Sequence, residues 1–247
     1  MLFLILAAVL PAAYLMIRVY RSDRLEREPP RLVIGLVLLG AVSTGLAGMA
    51  ERLGDRVLSL FLPEGSLAFD LLFYFLVVGL AEEGFKYAVL RWRTWRHPEF
   101  NCQYDGVVYA VFVSLGFALW ENIGYVLLYG FQTAVTRALT AVPGHACFGV
   151  FMGVWYGVAR RRALNGDEEG AKKALRLCVI VPALLHGLYD FIASLHSGVF
   201  VLVFLAFVAV MFITALRIVR RTARRDDYLP PEDGYRYDDD DTDHRYR

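Results

Sequence analysis

Seven ionisable side chains, Glu82, Glu83, Lys86, Glu121, His145, His186 and Asp190, lie within runs otherwise apolar enough to cross a bilayer. A charge at mid-bilayer costs about 2.5 kcal/mol or more on insertion scales, so such a cluster marks a functional site by default. Carboxylates and imidazoles together can move protons or ligate a metal. On a helix, Lys86 lies four and three residues beyond Glu82 and Glu83 and can reach either. The two adjacent carboxylates point about 100° apart, so one glutamate is expected to act and the other to support it. Two carboxylates against one ammonium leave a surplus negative charge, which asks for a metal ion, a shared proton or another cation. His186 and Asp190 share a helix face at i and i+4. Asp190 either accepts the ring N–H and fixes the tautomer or is itself a metal ligand. Each element taken alone also has a structural reading: a Glu–Lys pair that locks a helix, a Glu121–Asn122 contact that glues two helices, a satisfied lone His145, or a structural His–Asp pair.

The elements that must carry these residues are membrane spans. Of 247 residues 57% are hydrophobic, and the mean hydropathy of +0.44 reflects long apolar runs that recur from Leu2 onward. The fold class is therefore all-α, a polytopic transmembrane helical bundle. Hydrophobic runs and their charged borders predict seven helices, about 2–17, 32–50, 67–90, 106–129, 138–159, 177–195 and 199–216. The first run lacks a basic start and is followed by five arginines, which suits a retained helix better than a cleaved signal. Segments 18–31, 91–105, 160–176 and 217–247 hold 22 of the 26 Lys and Arg. By the positive-inside rule the N-terminus is expected outside and the C-terminus in the cytoplasm. Gly149, Gly153 and Gly157 recur every four residues and predict a close helix–helix seam. Residues 1–225 form the expected membrane domain, with its motif-bearing core at about 80–190. Residues 226–247, acidic and carrying adjacent prolines, are expected to be a disordered cytoplasmic tail.

Several classes are disfavoured by the same sequence. The basic residues form blocks between spans and no continuous stripe, so nucleic acid is not an expected partner. Cys102, Cys147 and Cys178 are scattered without CxxC spacing and imply neither disulfides nor a thiolate zinc site. His97, His196 and His244 fall at solvent-facing or helix-end positions.

Taken in order, EEGFK at Glu82–Lys86, FALWEN at Phe117–Asn122, the PGH histidine His145 and HGLYD at His186–Asp190 resemble motifs of the PrsW family of intramembrane proteases, distant relatives of the CAAX prenyl proteases. Four motifs on four separate predicted helices are far more specific than any one of them. The resemblance implies a membrane-embedded metalloprotease of the bacterial plasma membrane that cuts a membrane-anchored protein near the outer face. In bacteria that implies the first cut of an anti-sigma factor. It further implies Glu82 or Glu83 as general base, and His145, His186 and Glu121 as ligands of a divalent metal, Zn²⁺ by preference. Asp190 would stand behind or beside them on the metal, Lys86 would balance the glutamate pair, and Asn122 would steady the oxyanion. A metal-free version, in which a glutamate and two histidines activate water directly, uses the same residues. The rival from another class is a proton-coupled transporter or channel, and a third is a catalytically dead scaffold for a partner's helix. The hydrolase reading requires Glu82 or Glu83, Glu121, His145 and His186 to converge on one cavity wet from the outside.

Overall fold

In a computed structural model, which describes residues 2–195 and 197–231, every extended apolar run is helical. The helices are α1 (Leu2–Tyr20), α2 (Pro30–Ser59), α3 (Leu67–Leu72), α4 (Leu80–Thr94), α5 (Asp105–Tyr129), α6 (Phe131–Leu139), α7 (Ala141–Leu164), α8 (Glu168–Ser194) and α9 (Gly198–Arg224). Helices α3 and α4 are joined without a break by a π-helical stretch, Phe73–Gly79. Among the described residues, six spans are long and apolar enough to cross a membrane, with α6 and α7 counted as one. The seventh predicted span is the α3–π–α4 rod. His196 and the acidic run from residue 232 onward, including His244, lie outside the described residues.

Helix α5 is the axis of the bundle. From Asp105 to Ala118 every residue is buried, and α1, α2, α4 and α7 all pack against it. The glycine seam brings α7 into backbone contact with α5. A Cβ added at Gly153 would fall 2.5 Å from the Gly106 carbonyl oxygen and the Val107 Cα of α5, so only a residue without a side chain fits. Gly40 of α2 meets the Val113 carbonyl of α5 in the same way. On the other side, a Cβ at Gly187 of α8 would sit 2.8 Å from the Phe75 Cα of the π-helical stretch. These backbone approaches set the distances between helices on which side-chain convergence depends. Leu6, Leu10, Ile34, Leu38, Leu184, Val203 and Val210 are among the apolar side chains left exposed along the helices. Such a surface suits lipid contact, where burial inside the bundle is unnecessary.

Three boundaries differ from the sequence reading, each for a local reason. Helix α2 continues past residue 50 to Ser59, because the charged residues Glu51, Arg52, Asp55 and Arg56 end the apolar run without ending the helix. Residues 130–137, expected as a loop, form most of the short amphipathic helix α6. Gly130, at φ +84°, turns the chain out of α5, and α6 then packs Ala134 against Ala8 and Val126. After α9 the chain does not leave the bundle at residue 226. The Leu229 N–H donates to the Asn101 carbonyl at 2.6 Å, and Tyr228 pairs with Cys102, so residues 226–229 lie along the α4–α5 loop.

Candidate functional site

Glu82, Glu83 and Lys86 leave α4 in its first two turns, directly after the π-helical stretch. Closing hydrogen bonds at i→i+5 changes the helical turn per residue, so the π segment sets which way the following side chains point. Glu83 and Lys86 are fully buried and Glu82 nearly so. The Lys86 ammonium donates to Glu83 Oε1 at 2.8 Å and to Glu82 Oε2 at 3.0 Å, and lies 3.1 Å from His145 Nδ1. It also stands 4.0 Å above the Phe117 ring of α5. A desolvated ammonium held by two carboxylates, an imidazole and an aromatic face has its donors satisfied and its charge compensated.

His145 enters from the first turns of α7, where Ser114 of α5 donates to its carbonyl at 2.8 Å. Because an ammonium has protons only to give, Nδ1 of His145 is the acceptor. The ring proton is then on Nε2, which donates to Glu121 Oε2 at 3.0 Å. Glu121 is paired a second time by Arg137 of α6 at 2.8 Å. His186 comes from α8, one residue before the glycine that lets that helix touch the π segment. Its Nδ1 lies 2.9 Å from Glu83 Oε1, which can only accept. Nδ1 therefore carries the proton, and Nε2 turns toward Asp190 Oδ2 at 3.5 Å and Glu82 Oε2 at 3.8 Å. The two imidazoles lie edge to face with centroids 5.2 Å apart, and Phe148 stacks on His186 at 4.6 Å.

These groups surround a cavity of about 300 Å³. Glu82, Glu121, His145, His186 and Asp190 face it, as do Glu51 of α2 and Arg137; Phe73, Tyr74, Tyr125, Phe148 and Tyr189 complete its wall. Glu83 and Lys86 lie behind that wall. Asn122 does not line the cavity: its amide donates to the Ala8 carbonyl at 2.9 Å and accepts from Arg137 Nε at 3.0 Å. Two residues at the cavity were not singled out from sequence. Glu51 stood at the charged border of a span, and Arg137 was counted as a loop cation. The signal for Arg137 was the 3.6-residue periodicity of 131–139, which makes that segment an amphipathic helix folded back on the bundle.

One donor atom from each of Glu82, Glu83, His145 and His186 lies within 4.8 Å of the other three. Five carboxylates, those of Glu51, Glu82, Glu83, Glu121 and Asp190, stand against two cations, Lys86 and Arg137. Glu83 Oε2 is buried with no hydrogen-bond partner among the described residues. Mixed nitrogen and oxygen donors, surplus negative charge and an orphaned oxygen together fit a divalent cation.

A membrane bundle with an acid-lined, histidine-bearing internal cavity defines a membrane enzyme or a proton-handling carrier. Sequence comparison separates the two. The PrsW family intramembrane metalloproteases match residues 28–216. The chain is 36% identical over 217 residues to a protein named Protease PrsW from Halalkalibacterium halodurans, covering 88% of this chain and 95% of that one. Proteins of the same name from Oceanobacillus iheyensis and Bacillus subtilis are each 34% identical, covering 90% and 79% of this chain and 96% and 84% of theirs. No solved structure is detectably similar. The chain belongs to the PrsW family of intramembrane metalloproteases and is a multi-pass protease of a bacterial membrane.

Proposed function

We propose that the cavity beside Glu82 is where a peptide bond of a membrane-anchored protein is hydrolysed, with an anti-sigma factor or similar single-span regulator as substrate. The observation that carries this reading is the meeting of α4, α7 and α8 through Glu82, Glu83, His145 and His186 around one cavity in a chain of this family. In this reading the N-terminus is outside and the C-terminus cytoplasmic, as the placement of Lys and Arg implies. The Glu121 end of the cavity, 16 residues along α5 from Asp105, then lies toward the outer leaflet.

Glu82 is the general base, since it faces the cavity while Glu83 is spent on Lys86 and His186. Glu83 holds the His186 proton on Nδ1 and so keeps Nε2 directed at the reacting water. His186 through its free Nε2, with the Asp190 and Glu82 carboxylates beside it, is the group that would hold a divalent ion, Zn²⁺ by its liking for such donors, and His145 would join it only by exchanging the Nε2 proton and its contact with Glu121 for the ion. Such an ion would supply Lewis acidity and a lowered pKa for bound water. Lys86 balances the charge of the two neighbouring glutamates through its bonds to both. Arg137, through Glu121, orients His145 and offers a cation toward an oxyanion, the role that Asn122, turned to α1, does not fill in this reading.

The test is cleavage of candidate single-span proteins by the purified chain in detergent or liposomes. Glu82→Gln, Glu83→Gln, His145→Ala and His186→Ala are assayed beside it, with and without a chelator, and proton flux is followed in the same liposomes. Cleavage lost in the variants with no flux in any sample is the expected result. Flux without cleavage would favour the carrier.

A further inference from the structure

A second set of buried acids lies far from the cavity, at the opposite end of α5. Asp105 begins that helix and Glu121 sits 16 residues on, about 24 Å along the axis at 1.5 Å per residue. Around Asp105 gather Asp23 and Glu28 from the α1–α2 loop and Asp226 from the chain just after α9. One carboxylate oxygen each from Asp23, Glu28 and Asp105 lies within 4.8 Å of the other two, and Asp105, Asp226 and Cys102 form a second such triad. Asp23, Glu28 and Asp105 are each more than nine-tenths buried.

The hydrogen bonds available to this set leave it incomplete. Glu28 Oε2 accepts from the Tyr109 hydroxyl at 2.7 Å. Asp105 Oδ2 accepts from the backbone N–H of Cys102 at 2.6 Å and of Asn101 at 3.1 Å. Asp226 Oδ1 accepts from the Tyr104 N–H at 2.8 Å. Both oxygens of Asp23, Oδ1 of Asp105 and Oδ2 of Asp226 have no hydrogen-bond partner among the described residues. The backbone N–H groups of Arg24 and Leu25 lean toward Asp23 without closing a bond. Four orphaned carboxylate oxygens in a desolvated space are costly unless a cation completes them.

We propose that Asp23, Glu28, Asp105 and Asp226 form a second, structural site for an oxygen-preferring divalent cation, Mg²⁺, Mn²⁺ or Ca²⁺, that clasps the α1–α2 loop and the chain after α9 to the start of α5. Asp23, Glu28 and Asp105 offer oxygens no more than 4.8 Å apart, which can surround one ion at roughly 2.1–2.6 Å, the range for these metals, and Asp226, grouped with Asp105 in the other triad, adds its charge from the chain after α9. Carboxylates outnumber the single thiol of Cys102, so the donors select a hard ion over zinc. The three segments joined come from widely separated parts of the sequence. The Tyr109–Glu28 and Tyr104–Asp226 bonds, the Asn101–Glu26 bond and the pairing of residues 226–229 already bring them together.

The experiment uses the full chain in detergent, stripped with EDTA and returned to chelator-free buffer. Mn²⁺ is titrated in by calorimetry and by loss of the free-ion EPR signal, in the wild type and on a His186→Ala background that disables the membrane cavity. The expected result is a bound Mn²⁺ that persists in His186→Ala, is displaced by Mg²⁺ or Ca²⁺, and weakens by at least about tenfold in Asp23→Asn and in Asp226→Asn. Thermal melting separates binding from misfolding. In EDTA, Asp23→Asn should melt no lower than the wild type, because it removes an uncompensated charge, and Mn²⁺ should raise the wild-type melt alone. No Mn²⁺ retained in His186→Ala, or binding undiminished in both aspartate variants, overturns the proposal, as does a wild-type melt indifferent to Mn²⁺. Those last results would mean that the acids share protons among themselves.

Discussion

The adjacent glutamates of α4 should respond differently to the same isosteric change, and the difference follows from their contacts. In Glu82→Gln the amide oxygen can still accept from Lys86 at the present 3.0 Å, and the new NH₂ faces the cavity where water can meet it. Stability should therefore change little, while loss of a general base costs about two to four powers of ten in rate, or roughly 3–5 kcal/mol of barrier. In Glu83→Gln the position is reversed. The carboxylate is fully buried, its Oε1 takes protons from both Lys86 and His186, and its Oε2 has no hydrogen-bond donor among the described residues. An amide NH₂ there would gain no partner that the structure supplies, and His186 would lose the carboxylate that holds its Nδ1 proton. Breaking a buried pair in this way costs about 3–5 kcal/mol, enough to lower the melting temperature by roughly ten degrees in a chain of this size. The assay is a thermal melt in detergent run beside cleavage of one fluorescent single-span substrate. Wild-type cleavage by Glu82→Gln, or a wild-type melt for Glu83→Gln, would refute the assignment of base and support.

Further outcomes follow from the same contacts. Gly153→Leu should abolish folding or activity, because its Cβ would meet α5 backbone at 2.5 Å, whereas Gly35→Ala, with nothing within 4 Å, should melt within about 0.5 kcal/mol of the wild type; expression and melting in detergent decide. Arg137→Met removes the 2.8 Å pair to Glu121 and should lower cleavage by about tenfold or more with a smaller change in melting; unchanged cleavage would remove Arg137 from the site. Dialysis against 1,10-phenanthroline should stop cleavage and added Zn²⁺ should restore it, while full activity after dialysis supports direct activation of water by Glu82 and the histidines. Ser114→Ala loses the 2.8 Å bond to the His145 carbonyl and should cost about 1 kcal/mol of stability by melting.

What the sequence made legible was the set of apolar runs and the ionisable residues within them, because both are local properties. All seven predicted spans are helical, and the residues of the four motifs are near one another. Orientation around a helix was not legible. Whether Glu82 or Glu83 faces the cavity depends on the π-helical stretch before them, and FYFLVVG carries no composition that distinguishes i→i+5 from i→i+4 closure. Asn122 was read as part of the site through the resemblance carried by FALWEN, yet neighbours on a helix diverge by about 100°, and its amide turns to α1. Glu51 and Arg137 were missed for one shared reason. A charge at the edge of an apolar run looks like a border, and only the packing of α2 and α6 against α5 turns these two inward.

The charges of the site also explain why the bundle has to be held together by glycines. Lys86, His145 and Glu121 form a relay in which each group satisfies the next, from the α4 ammonium to the α7 imidazole to the α5 carboxylate and out to Arg137 on α6. Every link crosses between helices and each is about 3 Å long, so a shift of one ångström between α5 and α7 would strand a buried polar group at both ends. Large apolar side chains at the seam would allow such drift, since lipid competes on equal terms with their packing. Backbone contact at Gly149, Gly153 and Gly157 does not, because there is no side chain to repack. A glycine seam without chemistry of its own is therefore what keeps the chemistry in register. Substitutions there should lose cleavage in step with the loss of the His145–Glu121 contact, which the imidazole proton resonance of His145 would report.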